Sequence, residues 1–108
     1  MTKPDWQSRT RLLVGDNGLA RLERSHVLVA GLGGVGAYAA EQLARAGVGR
    51  LTIVDGDTVH HSNRNRQLAA LNSTIGRPKT EVMEQRLRDI NPEIHIVTVN
   101  AYVKDQLL

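Results

Sequence analysis

Apolar residues gather in three short runs along the chain, each bounded by glycines or polar residues. Residues 26–30, 51–54 and 94–99 (His-Val-Leu-Val-Ala, Leu-Thr-Ile-Val and Ile-His-Ile-Val-Thr-Val) are β-branched and nearly continuous rather than alternating, the pattern of buried parallel strands. Between the first two, residues 37–46 are rich in Ala and Leu and predict a helix that Gly47 and Gly49 stop. Residues 16–24 predict a short amphipathic helix with Leu19 and Leu22 on one face and Asp16 as its cap. Residues 58–76 are polar, and a long segment of that kind inside a compact domain is usually functional. Pro78 then opens a helix whose Met83, Leu87 and Ile90 share a face, and Asn91-Pro92 closes it. Residues 102–108 look like the start of a further element. Strand, helix, strand, loop, helix, strand predicts an α/β fold: a Rossmann-like, three-layer arrangement with a three-stranded parallel sheet covered by helices.

The length of 108 residues with 41% apolar content suits one domain with an ordinary core. It is short for a complete nucleotide enzyme with its own substrate pocket. The absence of cysteine removes disulfides, thiolate metal sites and thiol nucleophiles. No apolar run approaches the ~20 residues of a membrane span, and the first residues lack a signal-peptide stretch, so the expectation is a cytoplasmic protein without membrane contact. The formal charge of +3 and a pI near 9.8 favour anionic partners without choosing among them.

Gly31-Leu32-Gly33-Gly34-Val35-Gly36 lies between a predicted strand and a predicted helix, the context in which a G-x-G-x-x-G loop binds phosphate. Gly31 makes the tight turn, Gly33 lets a phosphate approach the backbone, and Gly36 lets helix and strand pack closely. Amides at the helix start face the anion. Asp55 ends the second strand, roughly the 20 residues downstream at which a carboxylate can accept the ribose hydroxyls. NAD, FAD and ATP all fit such a loop.

The charges downstream favour ATP. Arg64, Arg66 and Lys79 follow Asp55 closely. A pyrophosphate can be held by backbone amides and a helix terminus, whereas a triphosphate carries about twice the charge and needs fixed cations. Arg66 can grip phosphate oxygens in pairs, and Lys79 supplies a point charge at a helix start that aims it toward the sheet's carboxyl edge. Asn63, Asn65 and Gln67 stand among these cations as turn formers or nucleotide contacts. His60 and His61 are adjacent in a loop with no third ligand at a metal-binding spacing, so no metal site is expected on the histidines.

Taken in order, several strings resemble the ThiF, MoeB and HesA proteins, bacterial relatives of the ubiquitin-activating enzymes. These are the glycine loop, Ala46-Gly47-Val48-Gly49, Asp55-x-Asp57-x-Val59, Ser62-Asn63-x-Asn65-Arg66-Gln67, Gly76-x-Pro78-Lys79 and Ile90-Asn91-Pro92. Arg64 departs from the small or apolar residue usual in that family. The resemblance implies that Gly34, Asp55, Asn63, Asn65, Arg66, Gln67 and Lys79 contact ATP. It implies that Arg9 reaches a neighbouring subunit's site in a homodimer, and that residues 1–108 are the N-terminal nucleotide-binding part of a longer domain. Its magnesium-binding aspartate would lie well beyond Lys79, past the end of this chain, so the piece alone is expected to show no turnover. The strings Arg9-Thr10-x-Leu12-Leu13-x-Gly15 and 33–41 look most like tRNA threonylcarbamoyladenosine dehydratases. Adenylyltransferases that activate a ubiquitin-like sulfur-carrier protein are the nearest alternative.

The reaction this implies is attack of a substrate carboxylate on the α-phosphorus of ATP, with Arg66 and Lys79 stabilising phosphate charge and Asp55 fixing the ribose. Two rival readings are an NAD-dependent oxidoreductase half, which leaves the asparagine-arginine loop and Lys79 without a task, and a non-catalytic scaffold.

Overall fold

A computed structural model describes residues 5–102. Helix α1 (Ser8–Arg24) leads into strand β1 (His26–Ala30), helix α2 (Gly34–Ala46), strand β2 (Arg50–Val54), helix α3 (Lys79–Ile90) and strand β3 (His95–Val99). The strands form one parallel sheet in the order β1-β2-β3, with His26 paired to Arg50 and Arg50 to His95. The predicted α/β Rossmann-like sheet is therefore present, with β2 in its centre. Residues 103–108, most of the unfinished element read from the sequence, lie outside the described residues.

One face of the sheet carries the core. Val29, Leu51, Ile53 and Ile96 pack with Ala37, Ala40 and Ala44 of α2 and Val82, Met83 and Leu87 of α3, and Leu32, Val59, Ala69, Ala70 and Ile94 complete the cluster. The small residues of α2 are the reason it can lie close to the strands. The other face is open at its edges: Leu28, Val97 and Val99 stay exposed, and only Thr52 and Val54 of the central strand are buried. The run 26–30 is thus a strand buried on one side, not on both; His26, Leu28 and Ala30 face outward.

Two helix starts differ from the sequence pattern. The chain is helical from Ser8, with a break at Gly15 where φ is +73°. The first half carries Leu12 and Leu13 fully exposed, so no buried stripe announces it. Asp16 follows the break but pairs with Arg11 at 3.1 Å rather than capping the helix. Helix α2 begins at Gly34, inside the glycine loop, and ends as predicted at Gly47 in the left-handed conformation, φ +103°.

Helices α2 and α3 are joined by a half-buried ion pair. Arg86 Nε donates to Glu41 Oε1 at 2.5 Å, and Arg45 approaches Oε2 at 3.4 Å. Burial pushes the Glu41 carboxyl up, but the hydrogen bond and charge of Arg86, aided by Arg45, outweigh it and hold the group below its ordinary 4.5. Asn91, at the end of α3, donates to the Ala44 carbonyl at 3.3 Å and fixes the same pair of helices. No helix of the described residues is long and apolar enough to cross a membrane.

Candidate nucleotide site at the carboxyl edge

The parallel register places the ends of all three strands side by side, because Ala30 pairs with Val54 and Val54 with Val99. Just beyond them lies a cleft of about 220 Å³ lined by Ala30, Gly31, Val54, Asp55, Gly56, Asp57, Ala101 and Tyr102. Ligands of open α/β sheets bind at this edge.

The glycine loop turns where Gly31 adopts φ +93° and its N–H donates to the Val54 carbonyl at 2.7 Å. A Cβ on Gly36 would collide with the Gly31 carbonyl oxygen, so the third glycine serves the close packing read from the sequence. Gly33 precedes α2, and Gly34 at its first position is exposed with open space around its Cα. Backbone amides at a helix start, unscreened by side chains, suit an anion.

Asp55 is fixed by the loop it was expected to serve. Its Oδ2 accepts the Leu32 N–H at 2.6 Å, and its Oδ1 accepts the Asp57 N–H at 2.7 Å. Each oxygen retains a lone pair, so the carboxylate can still accept ribose hydroxyls while its orientation is set by backbone. The Leu32 amide is correspondingly committed to Asp55 rather than to an anion.

Lys79 is the buried cation of the site. The chain after β2 pairs with the approach to α3 through a bridge from Thr58 to Pro78, and the Lys79 N–H donates to the Asp57 carbonyl at 3.0 Å. That tie brings Lys79 beside the carboxyl edge. It is 4% exposed, yet Nζ is 3.9 Å from Asp57 Oδ2, beyond hydrogen-bond reach. The side chain is thus buried along its length, while its ammonium makes only a long ion pair with a half-exposed carboxylate. Its charge is only loosely matched by that pair, so it could also meet an anion at this edge.

The polar loop divides. Asn63 is buried; its Oδ1 accepts the His60 N–H at 3.1 Å and its carbonyl accepts the amides of Arg66 and Gln67, so this residue shapes the loop. Gln67 lies against the glycine loop, its Nε2 3.6 Å from the position of a Cβ on Gly33, and its Oε1 is enclosed without a hydrogen-bond partner. Arg66 is exposed and folds back on its own loop, donating to Ser62 O at 3.2 Å and Asn65 Oδ1 at 2.9 Å. Asn65 and Arg64 are exposed beside it. Arg9 is exposed on α1, away from the cleft lining. The structure therefore brings Gly31, Gly33, Asp55, Gln67 and Lys79 to one edge, and leaves Arg66, Asn65 and Arg9 on the surface around or away from it. The described residues bring together no group of three potential metal-ligating side chains.

Two residues were given no role in the sequence reading. Tyr102 donates its hydroxyl to Asp57 Oδ1 at 2.6 Å across 45 residues of sequence. That hydrogen bond and the Asp57 charge hold its phenol above the ordinary value of 10.0. The repeated aspartate of Asp55-x-Asp57 was the available signal for one of them; Tyr102 had none, because only strand pairing carries it there.

A family model described as the ThiF family matches residues 7–107. The chain belongs to the ThiF family. Among curated members, it is 48% identical over 99 residues to the tRNA threonylcarbamoyladenosine dehydratase of Bacillus subtilis (strain 168), covering 92% of this chain and 39% of that protein. It is 47% identical over 89 residues to the molybdopterin-synthase adenylyltransferase of Escherichia coli (strain K12), covering 82% of this chain and 36% of that protein. Among ThiF-family structures, that of the E. coli tRNA N6-threonylcarbamoyladenosine dehydratase in complex with ATP superposes with a TM-score of 0.88 at 42% identity, covering 96% of this chain and 44% of that one. The chain thus spans about two fifths of the length of the ThiF-family relatives it matches.

Proposed function

We propose that this chain is the N-terminal nucleotide-binding part of an ATP-dependent enzyme that adenylates a substrate carboxylate, the substrate being threonylcarbamoyladenosine in tRNA. The observation that carries the reading is Lys79: a lysine with a buried side chain, tied through Asp57 to the carboxyl edge, whose ammonium makes only a 3.9 Å ion pair there. An NAD site needs no such cation. Similarity to a dehydratase crystallised with ATP supports the choice of nucleotide, and the identity to the B. subtilis dehydratase supports the choice of substrate.

In the reaction, a carboxylate oxygen attacks the α-phosphorus, the bond to the β-phosphate oxygen breaks, and pyrophosphate leaves. The acyl adenylate then cyclises with release of AMP. Asp55 accepts the ribose hydroxyls, the amides at the start of α2 and the Lys79 ammonium offset phosphate charge, and Arg66 leaves its loop contacts to reach the phosphates. Arg66 is exposed and its present acceptors are neutral oxygens, so a phosphate is the stronger partner. Magnesium would accompany the triphosphate. The reading includes a cytoplasmic homodimer: Arg9, Leu12 and Leu13 are exposed together on the first half of α1, a surface from which an arginine can reach a neighbour.

ATP–pyrophosphate exchange in the intact protein tests the proposal. Exchange dependent on tRNA carrying threonylcarbamoyladenosine is expected. Arg66→Ala and Lys79→Ala should each lower it by at least ~10-fold, about 1.4 kcal/mol in the transition state. Exchange that requires a ubiquitin-like sulfur carrier instead would move the protein to the adenylyltransferase branch, and exchange insensitive to both substitutions would sink the mechanism.

A further inference from the structure

Tyr102 and Lys79 approach opposite oxygens of the Asp57 carboxylate. The ring of Tyr102 lies on Gly56, with ring carbons 2.8–2.9 Å from where a Cβ would stand, so glycine there lets the ring rest on the backbone. The Asp57 backbone is pinned on both sides, its N–H to Asp55 Oδ1 and its carbonyl to the Lys79 N–H. The carboxylate is the part left to turn. One oxygen accepts the phenol at 2.6 Å, while the other stops 3.9 Å from the ammonium. A lysine–carboxylate hydrogen bond closes to about 2.7–2.9 Å. The ammonium ends a side chain that is otherwise buried and has no closer carboxylate partner among the described residues, so an unrestrained Asp57 would close on it to form a charge-assisted hydrogen bond.

We infer, resting on the ATP-binding reading above, that Tyr102 is a positioning residue acting through Asp57: its hydroxyl draws the carboxylate away from Lys79 and keeps the buried ammonium available to the nucleotide's phosphates. Two neighbouring substitutions then move ATP affinity in opposite directions. Tyr102→Phe keeps the ring on Gly56 but frees Asp57 to pair with Lys79, so that phosphate must displace a carboxylate. ATP should bind about 10-fold more weakly, the size expected of one charge-assisted hydrogen bond. Asp57→Asn removes both the competitor and a negative charge beside the phosphates, and ATP should bind at least ~3-fold more tightly. The double substitution should match Asp57→Asn alone, because the hydroxyl has no carboxylate left to restrain.

Calorimetric titration of the intact protein and the three variants with ATP reads these shifts, and a nucleotide-free crystal structure of the Tyr102→Phe protein reads the latch itself. Opposite signs, a double variant equal to Asp57→Asn, and a Lys79–Asp57 gap closed below ~3.2 Å in Tyr102→Phe are the expected results. Equal weakening by both single substitutions, as a merely structural tie would give, or an unchanged 3.9 Å gap, would overturn the inference. If the unsubstituted protein binds no ATP, the functional reading fails by itself, while the gap in the crystal still decides whether Tyr102 restrains Asp57.

Discussion

The backbone N–H of Leu32 donates to the Asp55 carboxylate at 2.6 Å, joining the glycine loop after β1 to the end of β2. One side chain thereby positions the turn that faces phosphate and carries the acceptors that face the sugar. Asp55→Asn keeps the shape but replaces one acceptor oxygen with a donor, leaving either the Leu32 or the Asp57 amide unsatisfied. We expect a loss of about 1–2 kcal/mol in thermal unfolding and at least ~10-fold weaker ATP binding by calorimetry. Undiminished affinity would remove Asp55 from the ribose site.

The two glycines at the start of α2 separate packing from ligand access. Alanine at 36 meets the Gly31 carbonyl oxygen, whereas alanine at 34 meets nothing within 4 Å. Urea unfolding should show Gly36→Ala destabilised by about 2–4 kcal/mol and Gly34→Ala within ~0.5 kcal/mol of the parent or slightly more stable. Gly34→Ala should nonetheless weaken ATP, because its Cβ would occupy the open space before the helix amides.

Lys79 offers a test of whether the fold or the ligand requires it. Lys79→Met preserves volume and removes a buried charge whose nearest carboxylate is out of hydrogen-bond range. Thermal unfolding without nucleotide should leave the melting temperature unchanged or raised. A fall equivalent to more than ~2 kcal/mol would mean that the ammonium is structural.

Much of this was legible in the sequence, for identifiable reasons. The strands of a parallel sheet read as apolar runs, and the Ala-rich α2 and the Met83–Leu87–Ile90 stripe of α3 follow one buried face. The first half of α1 was not legible, since Leu12 and Leu13 are exposed and leave no periodic signal. At the site, the glycine loop, Asp55 and Lys79 stand in local patterns whose chemistry is readable. The Tyr102–Asp57–Lys79 arrangement is not, because it depends on the β2–β3 register that sets Val54 beside Val99. Arg66 was readable as a phosphate ligand, but its present contacts within the loop are a matter of side-chain geometry.

The Glu41–Arg86 pair makes stability depend on acid. Its carboxyl is held below 4.5 in the folded chain, so its contribution is present above that value and is lost as pH falls through the lower folded value. Unfolding of the parent should therefore lose stability below about pH 4.5, and Glu41→Gln should flatten that part of the curve. Arg86→Ala should cost about 1–2 kcal/mol at neutral pH.

Whether Lys79 holds a triphosphate at the carboxyl edge is decided by titrating the intact protein with ATP and with NAD in parallel calorimetric runs. ATP should bind at least ~10-fold more tightly than NAD, and Lys79→Met should abolish that preference while leaving the protein folded. Equal or tighter binding of NAD, or an ATP preference that survives Lys79→Met, would mean that Lys79 does not hold a triphosphate.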